Sequence, residues 1–143
     1  MTGEHWYPSR VTEIPPPECY ELLASRSVGR IAFVVDGAPS VVPVNHTVDG
    51  EDIVFRTSPH SELGRSMVQG PVAFEVDQFD DMSQTGWSVL VQGAAAYDDP
   101  EATPSREQPR PWPEGVRSLV VRIRPHQVTG RRLIGVEDQS SDR

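Results

Sequence analysis
Apolar and polar residues alternate with a period of two along most of this chain, and that pattern predicts strands rather than helices. Val28–Val35 is the first long run, and Asp36-Gly37, a pair suited to two-residue hairpin turns, follows it. Ser40–Val48 is the second strand, Asp49-Gly50 the second turn, and Asp52–Thr57 the third strand. Three runs joined by two tight turns form an antiparallel meander. Pro71–Gln78 puts Val72, Phe74 and Val76 on one face and Ala73, Glu75 and Asp77 on the other, so one face is buried. Gly86–Tyr97 is a long strand in which Gly93 marks a bulge or a close approach. Val116–Pro125 is the last long strand, and Gln127–Leu133 closes the domain.

Only two short segments break this period. Glu18–Ser25 follows Pro17, which suits a helix's first turn. Ser61–Gly70 begins on a capping serine and stops at glycine. Six strands with short connections predict a closed or half-closed barrel, because closure removes exposed strand edges. Its core is expected from Ile31, Phe33, Val42, Val44, Ile53, Phe55, Phe74, Val89, Val91, Val121 and Ile123. Residues 1–16 read as an extended arm, 17–134 as one domain, and 135–143 as a polar tail. The proline- and charge-rich stretch 98–115 reads as a surface loop.

Charge narrows the function classes. Against 13 basic residues stand 21 acidic ones, a formal net charge of -8 over 143 residues, which disfavours a nucleic-acid backbone as partner. Cys19 is the only cysteine, so no disulfide forms within the chain, and its expected place is a partly buried helix position. No basic-then-apolar leader and no membrane-length apolar run is present, so a soluble cytoplasmic protein is expected, without a membrane partner.

The chain lacks a glycine-rich phosphate loop, zinc-ligand spacing and a nucleophile elbow, so no metal ligand or catalytic residue is assigned. His5, His46, His60 and His126 are scattered singly and read as surface or packing residues. Glu75, Asp77, Asp80 and Asp81 read as a solvated strand face running into a polar loop. The Asn45-His46-Thr47 glycosylation sequon falls inside a predicted strand and reads as chance. Two segments invite more. Arg56, Thr57 and Ser61 bring an arginine, two hydroxyls and a helix start together, which suits a phosphate and equally suits a strand end with an ordinary cap. Trp87-Ser88 could flank a flat ring, although a core tryptophan is the commoner arrangement.

Taken in order and spacing, VGRIAF, PSVVPVNHTV, DIVFRT, PVAFEVDQFD and GWSVLVQG resemble the pyridoxamine 5′-phosphate oxidase-like flavin-binding proteins, in particular the branch with the nitroimidazole-resistance proteins. The similarity runs from about Glu18 to Leu133. It implies a six-stranded antiparallel Greek-key split barrel and a homodimer with flavin mononucleotide (FMN) in a groove between subunits. It further implies that Val42, Pro43, Val44 and Asn45 lie along the flavin ring. Arg56, Thr57 and Ser61 would hold the phosphate, and Trp87, Ser88, Trp112 and Arg131 would approach the same groove, some from the partner chain. The implied activity is a flavin-dependent oxidoreductase acting on a small planar substrate, the ring carrying the redox step. The alternatives are a non-catalytic barrel holding deazaflavin, haem or another ligand, and a cofactor-free dimer that binds a partner. One departure stands out: where the family carries a lysine near the start of the short helix, this chain has Glu62, which implies weaker hold on an FMN phosphate.

Overall fold
The computed structural model describes residues 9–65, 70–98, 111–112 and 119–135. The 1–8 part of the arm, the end of the second helix, nearly all of the 98–115 loop and the 136–143 tail lie outside them. The described residues form seven strands and two helices: β1 (Ser9–Ile14), α1 (Pro16–Ser25), β2 (Val28–Val35), β3 (Ala38–Asp49), β4 (Asp52–Thr57), α2 (Glu62–Arg65), β5 (Gly70–Asp80), β6 (Thr85–Asp98) and β7 (Leu119–Gly135).

All neighbouring strands pair antiparallel, in the order β1-β7-β4-β3-β2-β5-β6, and β7 also pairs with β6. Strands β2 to β7 therefore close a six-membered ring, and the crossover from β4 to β5 beside β2 gives it Greek-key order. The expected barrel is present, with β1 as an addition. Part of the predicted extended arm is this strand. Its place follows from β7, one edge of which pairs with β4 only as far as Ile123. Ser9–Ile14 takes up the same β7 over Gly130–Gly135.

Turn chemistry sets the registers. Asp36 (φ 51°) and Gly37 (φ 80°) both adopt positive φ, as a type I′ hairpin requires, and Val35 pairs with Ala38 across them. The second turn is one residue later than Asp49-Gly50. Asp49 pairs with Asp52, so Gly50-Glu51 form the loop. Both aspartates are held there by Arg122, as described below. At Gly93 the β6–β7 register shifts, with Gln92 opposite Gln127 and Gly93 opposite Pro125. A Cβ there would strike the Arg124 carbonyl, so bulge and close approach coincide.

The barrel interior carries Ile31, Phe33, Ile53, Phe55, Phe74, Val89, Val91, Val121 and Ile123, all buried as expected. Val42 and Val44 are only half-buried and pack on this core from its rim. Helix α1 contributes Cys19 and Leu23, both fully buried. The Cys19 thiol donates to the Ile14 carbonyl (3.5 Å), and burial, with Glu18 beside it, raises its pKa, so it is a packing group. An ion pair between Glu18 and Arg132 fastens α1 to β7.

A four-membered charge cluster, which the sequence pattern does not reveal, locks the outer wall. The Arg122 guanidinium donates through Nε to Asp98 (2.8 Å), through Nη1 to Asp52 (3.0 Å) and through Nη2 to Asp49 (2.8 Å). One cation near the start of β7 thus joins the β3–β4 turn to the end of β6. Burial works against its charge, but the three carboxylates outweigh that and hold it protonated.

Candidate cofactor groove
Strand β3 changes partner in mid-course. Residues from Ala38 to Asn45 pair with β2, whereas His46 to Asp49 pair with β4. Among the described residues, no ladder covers the second edge of Ala38–Asn45. Backbone N–H and C=O groups of a strand edge need partners, so this opening is a place where a planar polar ligand can add to the sheet. Val42 and Val44 are half-buried because their neighbouring strand has ended.

The switch point is fixed by His46, which is 5% exposed. Its Nε2–H donates to the Leu23 carbonyl of α1 at 2.8 Å, because that oxygen can only accept. Its ring meets Phe74 edge-on at 5.0 Å. Nδ1 is left buried with no partner among the described residues. Burial depresses the imidazole pKa, only partly offset by the Leu23 hydrogen bond, so the ring is neutral. The unfolded chain then takes up the proton first, near pH 6.5. Stability contributed by His46 is complete above that pH and is lost as pH falls toward the lower folded pKa. His46→Leu is therefore expected to flatten the fall of stability between pH 7 and pH 5, by at most about 1.4 kcal/mol per pH unit. Urea titrations at several pH values check this, and equal slopes in both proteins would contradict it.

Several residues singled out in the sequence meet at this opening. Asn45 donates through Nδ2 to the Ser27 carbonyl (3.3 Å) and accepts through Oδ1 from the Trp112 backbone N–H (2.8 Å). Trp112 is 71% exposed and stands beside a cavity of about 410 Å³ that Arg26, Arg30 and Asp77 also line. On the other side, Thr57 ends β4 and Ser61 opens α2, their hydroxyl oxygens 2.9 Å apart. Arg56 is half-buried on the opposite face of β4 to Thr57.

Trp87, Ser88 and Arg131 lie elsewhere. Trp87 points into the core and is 8% exposed. Ser88 and Arg131 are cross-strand partners on β6 and β7. In the ring β6 stands three strands from β3, on the far wall. One chain therefore does not gather all the expected groove residues.

The Thr57–Ser61 corner is internally satisfied. Ser61 Oγ donates its one hydrogen to the Ser58 carbonyl (2.7 Å) and accepts from the Gly64 N–H (3.0 Å). The Thr57–Ser61 bond must then use the Thr57 hydrogen. Ser61 is a true helix cap. Gly64 is obligatory here, because a Cβ would run into the Ser58 carbonyl. Glu62, exposed, reaches across to β3 and accepts from the Ser40 hydroxyl at 2.8 Å. Neither this strut nor the His46 switch point could be read from residue spacing, because both depend on where β3 leaves β2.

The acidic strand face differs from the solvated one expected. Arg30 Nη1 pairs with Glu75 (3.1 Å) and Asp77 (3.3 Å), all three on the outer face of β2 and β5. Burial, then the neighbouring Asp77, push Glu75 up to about 7 against the pull of Arg30. Asp80 instead caps the β5–β6 loop by accepting from the Met82 and Ser83 N–H groups. The described residues hold no cluster of metal-ligating side chains. Among them, no helix is long and apolar enough to cross a membrane.

A closed antiparallel barrel with one split strand pairing and helices packed at the opening defines the split-barrel class. Within that class the chain belongs to the pyridoxamine 5′-phosphate oxidase family, whose model matches residues 15–132. An uncharacterised Mycobacterium tuberculosis protein, Rv0080, is 35% identical over 131 residues, covering 87% of this chain and 86% of its own. The structure of the FAD binding protein from Mycobacterium smegmatis is similar with a TM-score of 0.67 at 32% identity, over 86% of this chain and 98% of that one. A conserved protein of unknown function from Corynebacterium diphtheriae matches with a TM-score of 0.72 at 27% identity, over 87% and 98%.

Proposed function
We propose that this chain binds a flavin nucleotide against the uncovered edge of β3, in a groove completed by a second copy, and acts as an oxidoreductase on a small planar substrate. The carrying observation is the partner switch at Asn45/His46, which leaves the second edge of Val42 to Asn45 without a ladder among the described residues, next to Trp112. An isoalloxazine presents a flat apolar body with a polar edge, and that edge needs donors and acceptors at strand spacing. The similar Mycobacterium smegmatis protein is an FAD binding protein, which supports the flavin assignment.

A two-fold pair fits the distribution of residues. The β6–β7 wall with Ser88 and Arg131 can approach the β3 opening only from another copy. The outer face of β2, β3 and β5 supports the same reading, since Val34 and Val41 are 65% and 63% exposed beside Pro39 and Pro71.

The bound flavin would supply hydride or electron transfer. The chain's own share is placement. The β3 edge would orient the ring, Trp112 would cover one side, and Arg56 would pair with the phosphate. His46 keeps its proton on Nε2 toward Leu23 and holds the strand where it diverges.

The absorption spectrum of the purified protein, with sedimentation, tests this reading. A flavin band and a dimer are expected. A deazaflavin or haem band would replace the cofactor, and a stable monomer at micromolar concentration would remove the composite groove. Arg56→Ala is expected to weaken FMN binding roughly tenfold through loss of one charge-assisted hydrogen bond. Unchanged binding would show that the phosphate lies elsewhere.

A further inference from the structure
The outer face of the wall formed by β3, β2, β5 and β6 is apolar over much of its breadth. Val41, Ala32, Ala73 and Gln92 follow one another across it as cross-strand neighbours. Val34 and Val41 are exposed there, and Pro39 and Pro71 border a cavity of about 310 Å³ on the same face. One polar group interrupts this surface. Arg30 on β2 stands across from Glu75 on β5, which stands across from the exposed Leu90 on β6. Arg30 donates from one nitrogen to both Glu75 and Asp77, and the three side chains form a single cluster.

Charge decides what such a face can bind. A patch with both signs side by side is complementary to its own image under a two-fold rotation, which is what a pair of identical chains requires. Yet one guanidinium faces two carboxylates, so a fully ionised cluster keeps one excess negative charge. On a free chain, water screens that charge. Between two copies the excess charges share one interface, lose that water and repel each other in a lower dielectric. A proton shared by Glu75 and Asp77 removes the excess and leaves a neutral trio. The single chain already leans this way, since burial first and then Asp77 hold Glu75 up to about 7 against the pull of Arg30.

We infer that two copies of this chain pair through the outer face of β2, β3 and β5, with Arg30, Glu75 and Asp77 inside the interface, and that pairing takes up protons on the Glu75–Asp77 carboxylates. The inference rests on the two-fold reading above and adds what controls it. A carboxyl group that is protonated more readily in the pair than in the single chain makes pairing tighter as pH falls through its titration. Arg30 and Asp77 are the charged groups facing Glu75, and its neighbours on β6, Leu90 and Ser88, carry no charge. His126 lines the cavity on the same face, and a charge gained there would oppose pairing instead.

Sedimentation of the full chain at pH 6, 7 and 8 tests it, in the wild type and in Glu75→Gln, His126→Gln and Val41→Asp, with melting temperature as the check on folding. The wild type is expected to pair about tenfold more tightly at pH 6 than at pH 8. Glutamine removes the charge of Glu75 but keeps an oxygen that accepts from Arg30, so Glu75→Gln should pair with little dependence on pH. His126→Gln should keep the wild-type dependence. Val41→Asp, at an exposed position, should weaken pairing about tenfold or more at every pH. If Glu75→Gln retains the wild-type dependence, if that dependence vanishes in His126→Gln, or if the wild type pairs less tightly at pH 6, the carboxylates do not take up the proton and the inference is wrong. Undiminished pairing of Val41→Asp puts the interface elsewhere and overturns it too. A wild-type chain that is monomeric at every pH removes the two-fold reading itself, an outcome distinct from the others.

Discussion

Arg122→Met is expected to lower the unfolding free energy by about 3 kcal/mol and the melting temperature by roughly 10 °C. The side chain of Arg122 is 15% exposed, and its three carboxylate partners are each 23–28% exposed. Methionine fills much of the same volume, so the loss is not a cavity effect. What remains is three carboxylates facing one another with no cation, anchored at the β3–β4 turn and at the end of β6. Partial exposure lets water relieve part of that repulsion, which keeps the figure at the low end for breaking a buried ion pair. Raising the salt concentration should narrow the gap between the two proteins, because screening weakens the repulsion among the three carboxylates. Urea denaturation at pH 7 in low and high salt measures both. A variant within 0.5 kcal/mol of wild type at pH 7 would make the cluster an ordinary surface ion pair.

Phe74→Ala should cost more, about 4 kcal/mol. The ring is fully buried and meets His46 edge-on, and it lies so close beneath Gly29 that a Cβ there would enter it. Truncation empties the space between β2, β5 and the switch point of β3. Backbone strands on three sides resist collapse into that space, so most of the cavity persists. The consequence reaches beyond stability. Water entering the cavity rehydrates His46, whose pKa then returns upward toward 6.5. The variant should therefore lose less stability than wild type on going from pH 7 to pH 5, besides being weaker throughout. Denaturation across that pH range checks both parts, and a steeper acid loss in Phe74→Ala would contradict the account of His46.

The strands and their hairpins were legible because they depend on neighbours along the chain. Alternation in Val28–Val35 and Pro71–Gln78 fixes which residues face inward, and Asp36-Gly37 fixes the first register through its positive φ angles. Gly93 was recognisable as an irregularity, since a strand interior has little other use for glycine. The second turn was displaced by one residue because Arg122, seventy-three positions from Asp49, holds both aspartates in the ladder. Local turn preference could not register so distant a partner.

For the site, residue types were legible and their grouping was not. The sequence marks Asn45, Arg56, Thr57, Ser61 and Trp112 as candidates. It does not show that Asn45 receives the Trp112 N–H, or that Ser61 and Thr57 satisfy each other. Glu62 stood out only as an unexpected charge, and its tether to Ser40 exists only once α2 packs against β3. Glu75 read as solvated because its partner Arg30 lies on another strand.

By itself, then, the sequence determined the antiparallel strands, the barrel core and the family, because side-chain periodicity and turn conformation are local properties of the chain. Tertiary structure alone decided where β3 leaves β2 for β4, which wall carries Ser88 and Arg131, and which charges meet. Those outcomes follow from ring closure, which places residues dozens of positions apart within hydrogen-bonding distance and leaves one edge of β3 without a ladder among the described residues.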